Sequence, residues 1–415
     1  MRNKHGPVLV FGYYGAGNLG DDLLMEAVAS AIEREGFSVR TGLRSASPPS
    51  GDRRLGFRLP FVSPTIVSDA ARLVRELRAS SALVLGGGGV FQDTHHFSTV
   101  AEFVLPLALA ALFKKPAVVW AVGIGPYRSA INSRLATLGL SLATTVTVRD
   151  PRSATHAGVH TEQVEDPVWW LATGRMTARP SPTGLIGFVL REWEGFNADA
   201  AVKLIARCSM RTGKTPVLIP FEYSRANARD FHFSESIRTR LAEQGIVASI
   251  PLNAAYPTVG ECCEAITSCD VLVTMRFHGA MLALANDVPV CAIGCSPKIT
   301  DLLAAGGLRR HVVLISEMKS ERAETVVGEL AANPQEAIAS QRAARSKILG
   351  SSNSTLRLVS AIQPYSASPP GRRIRAVLAL ASCTLILAWQ CVFVAACKAA
   401  QRLKSVAARR EEPDA

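Results

Sequence analysis

Aromatic residues are scarce in this chain, since Phe, Trp and Tyr make up 6% of its 415 residues. The net charge is +12, but the basic residues form no stripe interleaved with aromatic side chains, the pattern typical of nucleic-acid-binding proteins. The sequence therefore argues against a nucleic-acid partner. A moderate basic excess fits acidic small substrates or a membrane surface instead.

Cysteine is also sparse, with nine residues in the chain, and no two pairs have the spacing of zinc ligands. We therefore expect no metal site and no disulfide scaffold. Unpaired cysteines within predicted helices and strands are typical of a reducing compartment. The first segment has only about five apolar residues before its glycines, too few for a secretory signal. These features predict cytoplasmic catalytic lobes.

An acidic residue is missing where a dinucleotide-binding protein would need one. The pattern Gly15-x-Gly17-x-x-Gly20 follows the first predicted strand, and a nicotinamide or flavin site requires an acid about 20 positions further on. The second predicted strand, near residues 37–43, is followed by Arg44 rather than an acid. We therefore expect no cofactor. The glycine-rich entry to a helix still leaves backbone N–H groups free to meet an anion.

What the chain does have is a regular alternation of short apolar runs and amphipathic helices, which predicts an α/β fold with parallel sheets. Its length suggests two lobes. Clusters of proline and small residues at 177–184 and 364–371 are predicted linkers. We predict an amino-terminal α/β lobe over 1–176 and a carboxyl-terminal α/β lobe over 185–350.

The last part of the chain, 372–415, contains one long apolar run. Residues 376–397 carry no charge, and a helix of that length spans about 33 Å, against about 30 Å for the hydrocarbon core of a membrane. We predict a transmembrane helix over 376–397 with a basic tail, anchoring the lobes to the inner membrane. The alternative is a buried helix of the domain. Basic residues at both ends leave the orientation open.

A short segment, 270–298, combines a strand, a helix and a second strand with polar residues at the strand ends. Ligands of parallel sheets bind beyond the carboxyl ends of the strands. Arg276, His278 and Lys298 all fall just past such ends. Two cations and one imidazole at this edge suit an anionic, phosphorylated substrate; the alternative is a solvated edge.

Seven short motifs occur in order along the chain. They are Gly12-Tyr13-Tyr14-Gly15-x-Gly17-Asn18-x-Gly20-Asp21, Gly86-Gly87-Gly88-Gly89-Val90-Phe91-Gln92-Asp93, Gly123-Ile124-Gly125-Pro126, Val148-Arg149-Asp150, Asp166-Pro167, Arg276-x-His278 and Ser296-Pro297-Lys298. Together they resemble the polysaccharide pyruvyl transferase family. The resemblance covers about residues 8–350 and implies two Rossmann-like lobes, as in the B-type glycosyltransferases. It also implies phosphoenolpyruvate as the donor, a saccharide as the acceptor, a pyruvate ketal as the product and release of phosphate.

Ketal formation from an enol phosphate needs an acid for the methylene carbon, a base for the sugar hydroxyl and cations for the phosphate and carboxylate. His278 is the candidate acid, since histidine holds a proton near neutral pH, and Asp21 is the weaker candidate for the base. Arg276, Lys298 and Arg149 are the candidate anion clamps. The remaining predicted substrate contacts are Asn18, Gly17, Gly88, Gln92 and Asp93.

Several alternatives stay open at this point. Asp21 could be only a helix cap, and Lys298 only a solvated lysine at a helix start. The chain departs from the family pattern at four positions, Asp22, Glu192, Glu222 and Ser296. These departures bear on the identity of the acceptor more than on that of the donor. The rival functions are a nucleotide-sugar glycosyltransferase on the same fold and an inactive membrane-tethered scaffold for polysaccharide assembly. A membrane anchor would suit a lipid-linked acceptor.

Overall fold

Two parallel β-sheets, each covered by helices, form two α/β lobes. The computed structural model describes residues 6–43, 57–58, 66–94, 96–172, 182–223, 228–252, 257–318, 321–350, 354–362 and 371–388. Within them the first sheet has seven strands and the second has five. The predicted fold class, two parallel α/β lobes, is confirmed.

The first lobe is built around the seven-stranded sheet. Its strands are β1 (Val8–Phe11), β2 (Val39–Leu43), β3 (Phe57–Arg58), β4 (Ala82–Gly86), β5 (Ala117–Val122), β6 (Thr145–Val148) and β7 (Glu162–Gln163). They are parallel and lie in the order β3-β2-β1-β4-β5-β6-β7. Its helices are α1 (Leu19–Arg34), α2 (Ile66–Ala79), α3 (Thr99–Leu112), α4 (Ala130–Leu140), α5 (Pro151–Ala157) and α6 (Val168–Ala172).

The second lobe follows the same plan. Its strands are β8 (Leu185–Val189), β9 (Thr215–Leu218), β10 (Val271–Thr274), β11 (Val290–Gly294) and β12 (Val312–Leu314), all parallel, in the order β12-β11-β10-β8-β9. Its α-helices are α7 (Ala198–Thr212), α8 (Arg229–Glu243), α9 (Val259–Thr267), α10 (Phe277–Ala285), α11 (Pro297–Ala305), α12 (Arg322–Ala332), α13 (Pro334–Leu349) and α14 (Ser354–Ala361). Two 3₁₀ turns are present at Arg309–His311 and Ile315–Glu317.

The central strands are apolar along their whole length because helices cover both faces of each sheet. Every residue of β1, β4 and β5 is buried. Their side chains therefore pack on both sides of the sheet, which explains why the sequence shows continuous apolar runs rather than alternation. The chemistry-bearing residues are left to the loops at the carboxyl ends of the strands.

The start of helix α1 decides whether Asp21 is a helix cap. The helix begins at Leu19 and is capped by Asn18, whose side-chain oxygen accepts from the N–H of Gly20. An amide oxygen is as good a cap as a carboxylate. The alternative that Asp21 is only a helix cap is therefore not supported, and its carboxylate lies in the first turn.

The loops at the carboxyl ends of β1 and β9 join the two lobes. Leu19 N–H donates to the carbonyl of Phe221 (2.9 Å), and Tyr223 N–H donates to the carbonyl of Gly17 (2.7 Å). Helix α10 of the second lobe also packs against α6 and α1 of the first. These contacts bring the carboxyl edges of the two sheets towards each other.

The predicted transmembrane helix over 376–397 is not supported. Residues 372–388 are helical, and Ala376, Ala379 and Cys383 are buried in the apolar core of the first lobe. Arg372 donates to the carbonyl oxygens of Leu142 (3.1 Å) and Lys115 (3.2 Å). This part of the apolar run therefore packs in the core of the lobe, which agrees with the alternative of a buried domain helix. No helix in the described ranges is both long and apolar enough to cross a membrane, and 389–397 lie outside them.

The predicted domain boundaries stay predictions. Most of the linker at 177–184 and nearly all of the linker at 364–371 fall outside the described residues. The first described residue after the first of these gaps is Pro182, shortly before β8 begins.

Candidate active site

His278 lies at the entry to helix α10, just past the carboxyl end of β10. The turn is held by Thr274, whose hydroxyl accepts from Arg276 N–H (3.0 Å) and donates to the Arg276 carbonyl (3.1 Å). The His278 side chain is only 12% exposed. Its Nδ1 lies so close to Gly20 of the first lobe that a methyl group there would overlap it. The imidazole therefore sits between the lobes, against the first turn of helix α1.

Asp166, on the first lobe, faces the other nitrogen of the imidazole. Its Oδ2 lies 3.7 Å from His278 Nε2, too far for a hydrogen bond, and 2.9 Å from Nη1 of Arg149. Its Oδ1 accepts from Val168 N–H (3.1 Å). Burial opposes ionisation of this carboxyl, but His278 and Arg149 outweigh burial and lower its pKa to about 2. Asp166 is therefore a carboxylate that holds a cation and an imidazole together.

Sequence reasoning did not assign Asp166 a role. It appeared only as part of the Asp166-Pro167 motif, 112 positions before His278. The signal that marks it is the ion pair with the buried Arg149, whose side chain is 7% exposed. Buried charges are paired because an unpaired one is costly, so a motif containing an acid was a candidate partner for the arginine.

Arg276 is less free to clamp an anion than we predicted. Its Nη2 lies 2.5 Å from Asp230 Oδ2 and 2.9 Å from Glu222 Oε1, and its Nε donates to Asp230 (2.9 Å). Burial works against the charge of this guanidinium, but the two carboxylates more than offset it and raise the pKa of Arg276. Its charge is thus largely balanced by the protein.

Lys298 is the cation with the fewest protein partners at this site. It lies in the first turn of α11, and its Nζ approaches Gly89 of the first lobe. Within the described ranges no carboxylate forms an ion pair with it. The nearby charge of Arg149, followed by burial of the ammonium, lowers the pKa of Lys298 to about 8 although its side chain as a whole keeps solvent contact. An anion bound next to this lysine would stabilise its charge more than that of a cation already paired with a carboxylate.

Asp21 faces the same space from helix α1. Its Oδ2 accepts from Asn18 Nδ2 (2.8 Å), and a methyl group on Gly88 would stand 3.3 Å from its Oδ1. Burial and the neighbouring Asp22 raise the pKa of Asp21 to about 7, although Arg149 and other cations oppose the shift. A carboxyl with this pKa is able to exchange a proton at neutral pH.

Not all predicted contacts join this cluster. Asp93 accepts from the N–H groups of Arg128 (2.6 Å) and Ser129 (3.0 Å) and from Asn132 Nδ2 (3.0 Å), which fixes the start of helix α4. Gln92 Oε1 accepts from Thr94 N–H (2.8 Å). Their hydrogen bonds serve the fold of the loop, and their contact with substrate stays a prediction.

Gly17 adopts a left-handed φ of 83° that only glycine adopts freely, and its carbonyl binds the second lobe. The part of the chain that the structure describes contains no group of three His, Cys, Asp or Glu side chains arranged to hold a metal. The expectation of a metal-free reaction stays a prediction.

Loops at the carboxyl edges of the two sheets face each other, with an imidazole, cations and a carboxyl of raised pKa between them, and together they form a candidate active site between two lobes. The family model of polysaccharide pyruvyl transferases matches residues 18–297, two thirds of the chain. The chain belongs to the polysaccharide pyruvyl transferase family. It is therefore an enzyme, a transferase of polysaccharide biosynthesis.

Solved structures share the architecture at low sequence identity. A co-structure of S. aureus MnaA with UDP is 12% identical with a TM-score of 0.52, and the match covers 88% of this chain and 99% of that one. An alpha-glucosyltransferase in complex with UDP and DNA is 10% identical with a TM-score of 0.52, covering 86% and 99%. The Methanocaldococcus jannaschii UDP-GlcNAc 2-epimerase is 10% identical with a TM-score of 0.50, covering 77% and 92%.

These likenesses show the B-type glycosyltransferase fold and nothing about substrate. No curated protein matches the chain. The family match, rather than the structural neighbours, therefore carries the functional assignment.

Proposed function

We propose that this enzyme transfers a pyruvyl group from phosphoenolpyruvate to a saccharide of a cell-surface polysaccharide, forming a pyruvate ketal and releasing phosphate. The observation that carries the proposal is the contact of His278 with both lobes. Its Nδ1 lies against Gly20, and its Nε2 faces Asp166 at 3.7 Å. Protonation of an enol phosphate needs a positioned proton donor, and the imidazole is held between the first turn of helix α1 and a carboxylate.

In the proposed reaction His278 gives its proton to the methylene carbon of phosphoenolpyruvate, which becomes a methyl group. The central carbon then carries oxocarbenium character, and a saccharide hydroxyl adds to it while a base removes the hydroxyl proton. A second hydroxyl displaces phosphate, its proton leaves with the phosphate, and the ketal ring closes. Asp166 stabilises the imidazolium before transfer, as a carboxylate does for a positioned histidine.

Asp21 is the proposed base for the first hydroxyl, because its carboxyl exchanges protons near pH 7. Lys298 is the proposed phosphate ligand, because it approaches the Gly89 backbone and has no ion-pair partner in the described ranges. Charge-assisted hydrogen bonds of this kind contribute roughly 1.5–3 kcal/mol each. Replacing Lys298 with alanine is therefore expected to raise the apparent KM for phosphoenolpyruvate about tenfold or more, with a smaller change in kcat.

The decisive assay incubates the enzyme with phosphoenolpyruvate and glycans of its host, then measures phosphate release and analyses the glycans by mass for added pyruvate. Phosphate release that depends on glycan, together with a pyruvylated product, supports the proposal. Release of nucleotide from a nucleotide sugar in place of phosphate would identify the glycosyltransferase alternative.

A further inference from the structure

A short turn after strand β8 holds a tryptophan at the surface of the second lobe. Leu190 and Phe196 at its ends are buried, whereas Trp193 is 38% exposed. Trp193 N–H donates to the Phe196 carbonyl (3.1 Å), and Phe196 N–H donates back to the Trp193 carbonyl (2.8 Å). Gly195 closes the turn at a φ of 78°. The indole is therefore presented on a hydrogen-bonded turn, where binding it costs little conformational entropy.

The turn lies at the same sheet edge as the candidate active site. Strand β8 pairs with β10, which leads directly to Arg276 and His278. A methyl group on Gly195 would stand 3.3 Å from Ile315, just past the end of β12, so the turn crosses this edge of the sheet. Trp193 thus lies in a turn at the sheet edge that carries the candidate active site.

Arg191 supports the indole from one side. Its guanidinium carbon lies 4.9 Å from the centre of the Trp193 ring, a cation–π contact. The Nε of Arg191 is buried and has no hydrogen-bond partner among the described residues. Buried polar groups normally have such a partner. An exposed aromatic side chain beside a guanidinium is therefore a surface suited to a ligand with both apolar and polar groups.

A pyranose ring has this combination, since its axial C–H bonds form an apolar face and its hydroxyl groups lie around the rim. We propose that Trp193 is the stacking platform of the acceptor site and binds a hexopyranose ring of the acceptor saccharide on the exposed part of the indole, with the Arg191 guanidinium packed against the ring system. This inference rests on the proposed function, in which the acceptor is a saccharide. Glu222, whose side chain is 18% exposed and bound to Arg276, also lies close enough to Arg191 to interact with its charge.

The test compares Trp193→Ala, Trp193→Phe and Met210→Ala with the wild type. Met210 is a matched control, because it is 77% exposed on the last turns of α7, at the opposite edge of the sheet. Binding is measured by saturation-transfer NMR with a panel of methyl hexopyranosides, with phosphoenolpyruvate and with uridine diphosphate as separate probes.

We expect the wild type and Met210→Ala to bind at least one methyl hexopyranoside equally. Trp193→Ala is expected to bind it about tenfold more weakly, which corresponds to about 1.4 kcal/mol. Trp193→Phe keeps an aromatic face and should lose threefold at most. Binding of phosphoenolpyruvate should be the same in all four proteins.

Three results would overturn the proposal: pyranoside binding that is unchanged in Trp193→Ala, a wild type that binds no pyranoside in the panel, or a uridine diphosphate signal that alone depends on Trp193. A wild type that binds the pyranoside through Trp193 but does not bind phosphoenolpyruvate would support the platform and contradict the proposed donor. The two ideas therefore fail separately.

Discussion

Replacing Asp166 with asparagine tests the role of the carboxylate that faces His278. In the folded protein its pKa is about 2, against an ordinary value of 3.8. A difference of about 1.8 units corresponds to roughly 2.4 kcal/mol of stability at neutral pH. Because the side chains of Asp166 and Arg149 are 4% and 7% exposed, solvent screens this pair little. We expect Asp166→Asn to lose about 2–3 kcal/mol of unfolding free energy at pH 7.

The pH dependence follows from the direction of the shift. A carboxyl whose pKa is lowered by folding contributes its full stability above about pH 4, and this contribution is lost as the pH falls towards 2. The difference between wild type and Asp166→Asn, measured from urea unfolding midpoints, should therefore be constant from pH 7 to 5 and shrink below pH 4. Turnover should fall on the order of 100-fold, because the imidazole loses its orienting charge.

Asp150→Asn is the matched control. Asp150 lies 4.0 Å from Arg149 but its side chain is 35% exposed, and it caps helix α5, which asparagine also caps well. We expect this variant to resemble the wild type in stability and turnover. If Asp166→Asn matched both the stability and the turnover of the wild type at pH 7, the proposed link between Asp166 and His278 would be refuted.

Three further predictions test the rest of the site. Gly20→Ala should cut turnover at least tenfold, because the new methyl group displaces His278. Its circular dichroism spectrum should be unchanged, since alanine favours a helix over glycine by about 1 kcal/mol. Normal turnover would contradict the position of the imidazole. Asp21→Asn should become more stable than the wild type by up to about 3 kcal/mol as the pH rises from 4 to 7, because ionisation of the wild-type carboxyl, whose pKa is raised, destabilises the folded protein over that range. The pH–rate profile should also lose its limb near pH 7, and an unchanged profile would show that Asp21 is not the base. Arg276→Met should destabilise the protein by about 3–5 kcal/mol in urea unfolding, because it leaves the buried Asp230 without its cation. An effect confined to the KM for phosphoenolpyruvate would show instead that Arg276 acts only by binding the substrate anion.

The fold could be predicted because its determinants are local. The apolar runs that became β1 and β5 have the length and composition of strands buried on both faces. Glycine-rich segments after them mark the loops at the sheet edge. The start of α1 was harder, since Asn18, Asp21 and Asp22 are all good caps and only the loop geometry selects among them.

The charge balance of the site could not be read from the sequence. Arg276 looked like a free cation because Asp230 and Glu222 precede it by 46 and 54 positions, and only the fold brings all three together. The pairing of Asp166 with His278 spans both lobes and depends on how they meet. The transmembrane helix predicted over 376–397 was not supported, because composition alone does not distinguish a helix that faces lipid from one that packs in a protein core, as Ala376 and Cys383 do.

The central claim is that His278 protonates the methylene carbon of phosphoenolpyruvate while the saccharide captures the resulting centre. Its most direct test is to run the reaction in D₂O with wild type and His278→Gln and to analyse the product by mass. We predict one deuterium in each transferred pyruvyl group for the wild type and no labelled product for the variant. Product without deuterium, or equal labelling at near-normal rate by His278→Gln, would contradict the account.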